Sequence, residues 1–311
     1  MNRKEHNLPD DSHKHLINMK KTLLNLAFLS LLAFVATGCS SDEEYNADTA
    51  ISYYKPLEYD KMVSSIEIAY KKGNMENSWI YNFTYDAQNR IKEINGKMNY
   101  YSNAMGTNNA YTKYEGTVQT KYFYNNETLT IKCIYNTYSF KHDKSIKISP
   151  KFYGCFDKDG KLISFDSYDC EYSGFELTRA YTDYGTTYGL EYDRNQNITK
   201  AYLIDSLGKA DPSTIRTYEY TTKINYTNID FASFFGYNII ERLVDYNIKH
   251  PYELFHLGAF GMFGSRGRNL PKGDWEFAVL DSNNINSEVN ERYPIKFTSS
   301  QGFIYNIKYK E

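Results

Sequence analysis

The groups that most often do chemistry are thinly and irregularly spread along this chain. Of six histidines, those beyond the N-terminal segment are His142, His250 and His256. None stands in an H-E-x-x-H or C-x-x-C spacing that would converge on a metal. Asp157-Lys158-Asp159-Gly160 begins like a calcium loop, but Leu162 and Ser164 follow where further oxygen ligands are needed. Gly264-Ser265-Arg266-Gly267 lacks the G-x-S-x-G spacing that exposes a nucleophilic serine on a strand-to-helix turn. The 38 Asp and Glu residues leave room for a glycosidase pair assembled from distant strands, but their number lets no pair stand out. The spacing therefore predicts no metal, no cofactor and no catalytic residues. A structural or ligand-binding protein is expected in place of an enzyme.

Aromatic residues are the stronger signal: 32 Tyr, 18 Phe and 2 Trp. A ring offers a flat apolar face to a sugar and, in Tyr and Trp, a polar edge. Trp79, Tyr100, Tyr101, Tyr111, Tyr114 and Trp275 are the candidates for such a platform, which would make the chain a glycan-binding or glycan-processing accessory protein. The same rings can instead fill and rim a β-sheet, and that assignment is preferred. Carbohydrate or a surface protein is the expected partner.

The remaining reactive side chains are Cys39, Cys133, Cys155 and Cys170. If Asp157–Gly160 is a hairpin turn, Phe156 pairs with Lys161 and Cys155 faces Leu162, which sets Cys170 opposite Lys147 or so. Cys155 and Cys170 then lie roughly 27 Å apart at the strand rise, whereas a disulfide needs Cα atoms within about 7 Å. Free, mostly buried thiols are expected, with Cys133–Cys170 as the alternative pairing.

Cys39 has a different environment. Lys20 and Lys21 precede an apolar run from Leu23 to Val35, and Ala36-Thr37-Gly38 leads into the cysteine. A basic n-region, a short apolar core and small residues make a secretory signal that is too short for a comfortable membrane span. The cysteine after the small residues resembles a bacterial lipoprotein box, which implies lipidation at Cys39 and membrane attachment through that lipid. Residues 1–18 read as an upstream extension, 19–38 as the signal, 39–56 as a polar tether and 57–311 as one β-rich domain. Ser40-Ser41-Asp42-Glu43-Glu44 resembles an acidic export tag, so an outer-membrane lipoprotein is expected, on the cell surface in preference to the periplasmic face.

The 36 basic and 38 acidic side chains give a formal charge of -2, which argues against nucleic acid as a partner held by bulk charge. Mean hydropathy of -0.64 and a single long apolar run exclude a multispan helical membrane protein. Hydrophobic content of 41% excludes a disordered chain.

The elements that position these residues read as strands. In Trp79–Tyr85 the aromatics alternate with polar residues. Leu129, Ile131, Cys133 and Tyr135 do the same, as do Phe303, Tyr305, Ile307 and Tyr309. Tyr85-Asp86-Ala87-Gln88-Asn89-Arg90-Ile91 recurs as Phe156–Leu162 and Tyr192–Ile198, and loosely as Tyr124–Leu129. Asp opens such a turn through its own carboxylate, and Gly or Asn then tolerates the left-handed backbone. A repeat of about 35 residues suggests two strands and two turns per unit. The predicted fold is mainly β: an antiparallel meander forming a large curved sheet or soluble barrel, with one or two short helices in 231–262, where Phe231–Tyr246 and Tyr252–Met262 show helical spacing.

The Tyr-Asp turns resemble those of large bacterial shell-forming proteins. More of the chain is similar to a family of uncharacterised secreted lipoproteins with a porin-like β fold. The residues that carry this likeness are the Cys39 box, Phe83–Ile94, Tyr218–Asp230, Gly264–Gly273 and Pro294–Tyr309, in that order. It implies a large antiparallel β architecture, and the family's function is unassigned. A bilayer-spanning pore is not expected, because Asn82, Thr84, Lys132 and Lys308 lie opposite the aromatics, where a spanning strand needs an apolar band.

Overall fold

A computed structural model describes residues 59–103, 111–140, 142–166, 168–182, 185–234, 257–264, 267–278, 292–299 and 302–311. The extension, signal, Cys39 and tether assigned to residues 1–56 lie outside them.

Strands dominate. They are β1 (Val63–Lys72), β2 (Met75–Tyr85), β3 (Ile91–Asn103), β4 (Tyr111–Asn125), β5 (Thr128–Ser139), β6 (Lys144–Ile148), β7 (Lys151–Phe156), β8 (Leu162–Phe165) and β9 (Tyr168–Ser173). There follow β10 (Glu176–Thr182), β11 (Thr187–Tyr192), β12 (Ile198–Ile204), β13 (Arg216–Thr217), β14 (Tyr220–Ile224), β15 (Asn269–Pro271), β16 (Asp274–Phe277), β17 (Pro294–Thr298) and β18 (Ile304–Tyr309). Sixteen of them form one antiparallel sheet running from β13 through β7 to β5, then β4 to β1, then β18, β17 and β16. β6 pairs with the far half of β5 while β7 pairs with its near half. The meander is as predicted. Continuous pairing does not close it into a barrel among the described residues.

The two edges are nevertheless linked. The pair β14–β15 bonds to the β12 side through Tyr220 O–H to Ile198 O (3.0 Å) and Asn269 N–H to Asn197 Oδ1 (3.0 Å). On the other side Trp275 Nε1–H donates to Pro271 O (2.9 Å), and Val63 N–H donates to Asn228 Oδ1 (2.7 Å). Buried backbone groups that no strand satisfies thus find partners in this short bridge.

One turn design recurs. Asp86, Asp157 and Asp193 each accept, on one carboxylate oxygen, the N–H groups two and four residues on, at 2.8–3.0 Å. The residue three positions on takes a left-handed backbone: Asn89 (φ 62°), Gly160 (φ 85°) and Gln196 (φ 63°). Asp205 makes a further copy with Gly208 (φ 77°), and Ser299 another with its hydroxyl and Gly302 (φ 85°). The loose fourth repeat differs: Asn125 pairs directly with Thr128, leaving a two-residue loop at Asn126–Glu127.

After each of the first three turns, a tyrosine from a neighbouring strand donates its hydroxyl to the first carbonyl of the return strand. Tyr124 reaches Ile91 O (2.8 Å), Tyr172 reaches Leu162 O (2.8 Å) and Tyr220 reaches Ile198 O (3.0 Å). Tyr85, Tyr192 and Tyr309 likewise donate to the carbonyls of Val63, Leu177 and Pro294, at or next to the first residues of β1, β10 and β17. Each ring is packed against the sheet while its hydroxyl is satisfied, so burial carries little polar penalty. Burial raises Tyr85, Tyr172, Tyr192, Tyr220 and Tyr309 well above the ordinary tyrosine value.

Two expectations need correction. From Phe156 to Tyr192 the chain makes four strands, not two, because Asp166 (φ 48°) and Gly174 (φ 62°) insert extra turns. Cys170 therefore sits opposite Ala180 on β10 and not opposite Lys147, and a bulge after Cys155 sets that residue against Ser164. Cys133, Cys155 and Cys170 form no disulfide among the described residues, but only Cys133 is fully buried; Cys155 is exposed and Cys170 is half-buried. Helical backbone is present at α1 (Phe231–Phe234) and again over 257–259; residues 235–256 lie outside the described set.

Candidate functional site

Alternation divides the large sheet into two chemically distinct faces. On the inner face one cross-strand row runs Trp275, Phe297, Tyr305, Ile68, Trp79, Met98, Gly116 and Thr137. The next row towards the turns holds Ile307, Ile66, Tyr81, Gly96, Val118 and Tyr135. The helical segments cover the turn end of this face. Phe234 meets Tyr81 and Phe83 edge-on at 6.0 and 6.1 Å, and Phe260 meets Phe83 at 5.6 Å. Asp230 caps α1 by accepting the Ala232 N–H (3.0 Å), and Phe231 packs 5.5 Å from Trp275.

From Trp275, where Phe231 touches it, a continuous aromatic run crosses this face. It passes from Trp275 to Phe297 (4.4 Å), Tyr305 (5.6 Å), Phe303 (6.4 Å), Trp79 (6.4 Å), Tyr100 (6.5 Å) and Tyr114 (5.2 Å). Tyr70 stacks on Phe303 at 4.4 Å. Trp79, Tyr100, Tyr114 and Trp275, all half-buried, are thus brought onto one face as the platform idea requires. Tyr101 is not. It pairs with Lys113 and points to the opposite face from Tyr100, because adjacent residues of a strand cannot share a face. Tyr111 pairs with Asn103 through its backbone, and its side chain lies outside the described set. Sequence reasoning missed Phe297, Phe303, Tyr305 and Tyr70. Alternation marked Phe303 and Tyr305, but the other ring neighbours of Phe303, Tyr70 and Trp79, come from strands more than 200 residues away in the chain.

Rings at 15–18° to one another, as in Trp79–Tyr100 and Tyr100–Tyr114, turn their faces to each other. Such a run is first of all a packing device, each pair contributing about 0.5–1.5 kcal/mol beyond its burial.

The outer face is polar. One row crosses nine strands as Glu276, Lys296, Asn306, Glu67, Ile80, Lys97, Thr117, Asn136 and Lys147. Lys308–Glu67 (2.6 Å), Lys200–Glu191 (2.7 Å) and Lys296–Glu276 are ion pairs on this side.

Chemically reactive arrangements are few. No group of three or more His, Cys, Asp or Glu is placed to hold a metal among the described residues. Burial pushes the Cys170 thiol up to about 12, so it carries no thiolate near neutrality. His142 is exposed, and His250 and His256 lie outside the described residues. The buried charged pair Arg90–Asp86 (2.6 Å) belongs to a turn, with the guanidinium 4.4 Å from the Tyr124 ring centroid.

No protein-family model matches this chain. No curated protein matches it either. Among solved structures it is similar to a porin-like protein from Bacteroides uniformis, at 12% sequence identity and a TM-score of 0.42, over 83% of this chain and 99% of the other.

Proposed function

We propose that this chain is a lipid-tethered extracytoplasmic protein with a non-catalytic structural or ligand-binding role, its β body bathed in water. The supporting observation is the sidedness of the sheet: rings and aliphatic groups fill the inner face, while lysines, glutamates and amides cross the outer one. A bilayer-spanning barrel needs the reverse, an outward apolar band about 25 Å tall, and a lysine at mid-membrane costs about 2–4 kcal/mol. Membrane attachment then falls to acyl chains on Cys39, each buried CH₂ contributing about 0.8 kcal/mol. The outer membrane, cell-surface side, is the proposed location.

Detergent phase separation with acyl-chain labelling tests this reading. Full-length protein should take up label and enter the detergent phase. Cys39→Ala should lose both properties and keep its circular dichroism spectrum. A Cys39→Ala protein still held in the detergent phase would show that the body itself meets lipid.

A second reading is favoured by the half-buried aromatic run: a glycan-binding accessory protein whose sugar packs on Trp79, Tyr100 and Tyr114. Affinity electrophoresis through neutral glycan gels should show retardation lost on Trp79→Ala. Unchanged mobility of the parent protein in every gel would remove this reading.

A further inference from the structure

We propose that the outer face carries a separate binding site for a carboxylated or sulfated oligosaccharide, in a depression across β2–β6. The depression encloses about 580 Å³, within the size range of ligand sites. It is independent of the aromatic run, which lies on the other side of the same strands.

Charge and hydrogen-bonding capacity define the ligand. Lys97 and Lys147 line the depression in one cross-strand row, with Thr117 and Asn136 between them. Three strand spacings separate the two lysines, roughly 14 Å between their backbones. Glu115, also in the lining, is neutralised by Lys113 at 2.7 Å, whereas neither Lys97 nor Lys147 is engaged in an ion pair among the described residues. The site is therefore locally positive in a chain of net charge -2. Asn99 Oδ1, in the adjacent row, is buried and accepts no hydrogen bond. A buried acceptor without a donor is costly, and turning the amide into the depression would offer it to a ligand hydroxyl.

Two separated cations ask for two separated anions, and the unpartnered amide acceptor in the adjacent row asks for an O–H. An acidic sugar chain supplies both, whereas a neutral sugar lacks the anions. Single-stranded nucleic acid would want several stacking rings; the lining holds one, Tyr138. The depression ends at β6, which pairs with β5 alone among the named strands, so a polymer can run past the edge.

The test is affinity electrophoresis and calorimetry of the full-length protein against dextran sulfate, neutral dextran and polyuridylate at physiological salt. Dextran sulfate should bind and neutral dextran should not. Lys97→Gln with Lys147→Gln should weaken binding roughly tenfold or more, and Asn99→Ala should weaken it further without changing the salt dependence. The control pair Lys200→Gln with Lys308→Gln removes the same charge elsewhere on this face and should change affinity less than about twofold. Equal loss in the control pair would reduce the effect to net charge and overturn the proposal. So would polyuridylate binding as tightly as dextran sulfate, or no binding to dextran sulfate at all.

Discussion

Replacing Arg90 by Met tests what holds the first turn. Arg90 Nε lies 2.6 Å from Asp86 Oδ2, and both side chains are within 2% of complete burial. Its guanidinium also donates to Gln88 Oε1 (3.1 Å) and covers the Tyr124 ring at 4.4 Å. Methionine keeps the stem's packing but leaves the Asp86 carboxylate buried and uncompensated. Removing one partner of such a pair costs about 3–5 kcal/mol. For a domain of this size each kcal/mol moves the melting temperature by about 2–4 °C, so a fall of roughly 6–20 °C is expected. The exposed pair Lys71–Glu76, with a similar separation of 2.5 Å, sets the contrast: solvent screens it, and Lys71→Met should leave stability nearly unchanged. Asp86→Ser supplies the second arm, because Ser299 already makes this turn with a hydroxyl. Urea denaturation of the single and double variants yields the coupling energy, expected near 2–4 kcal/mol because the double variant leaves no buried charge. Zero coupling, or an Arg90→Met cost no larger than that of Lys71→Met, would mean that the buried ion pair does not hold this turn.

Further predictions concern packing and ionisation. Gly96→Ala places a Cβ 2.5 Å from Val118 Cγ1 and 3.2 Å from the Tyr81 ring, so it should destabilise by about 1–3 kcal/mol, with Val118→Ala restoring part of the loss in thermal melts. Tyr85, Tyr172, Tyr192, Tyr220 and Tyr309, half-buried with their hydroxyls bonded inside the fold, hold their protons above pH 10, where unfolded tyrosines release theirs. Stability from this source is complete below pH 10 and falls as pH rises beyond it, and absorbance at 295 nm should rise cooperatively with unfolding. Exposed Cys155 should react with iodoacetamide at pH 8 in the native protein, whereas Cys170, pushed up to about 12, and buried Cys133 should react only after denaturation. Peptide mapping that found Cys170 labelled first would contradict the assignment.

Much of the architecture was legible in the sequence because period-two alternation and Asp-led turns are local signals. Trp79–Tyr85 and Leu129–Tyr135 showed their faces directly. The turn at Asp166 escaped notice because a two-residue reversal leaves no Asp-x-x-Gly frame, only one aspartate in a left-handed conformation. The Asp205 and Ser299 copies did carry that frame, as D-S-L-G-K and S-S-Q-G-F, without the leading aromatic that made the others visible. The aromatic run was half legible. Residue type marked Trp79 and Trp275, but register decides that Tyr100 joins the run and Tyr101 does not. The outer depression had no sequence signal: Lys97 and Lys147 become neighbours only through three pairings, β3–β4, β4–β5 and β5–β6.

The most direct test of the two-faced sheet is nitroxide accessibility on the outer rows. Spin labels at Asn82, Thr117 and Asn306, in a Cys155→Ser background and in full-length protein bound to vesicles, report whether each site meets water or lipid. Strong collision with a water-soluble nickel chelate and weak collision with oxygen are expected at all three. Oxygen-dominated collision across these positions would place the outer face in the bilayer and overturn the water-facing assignment.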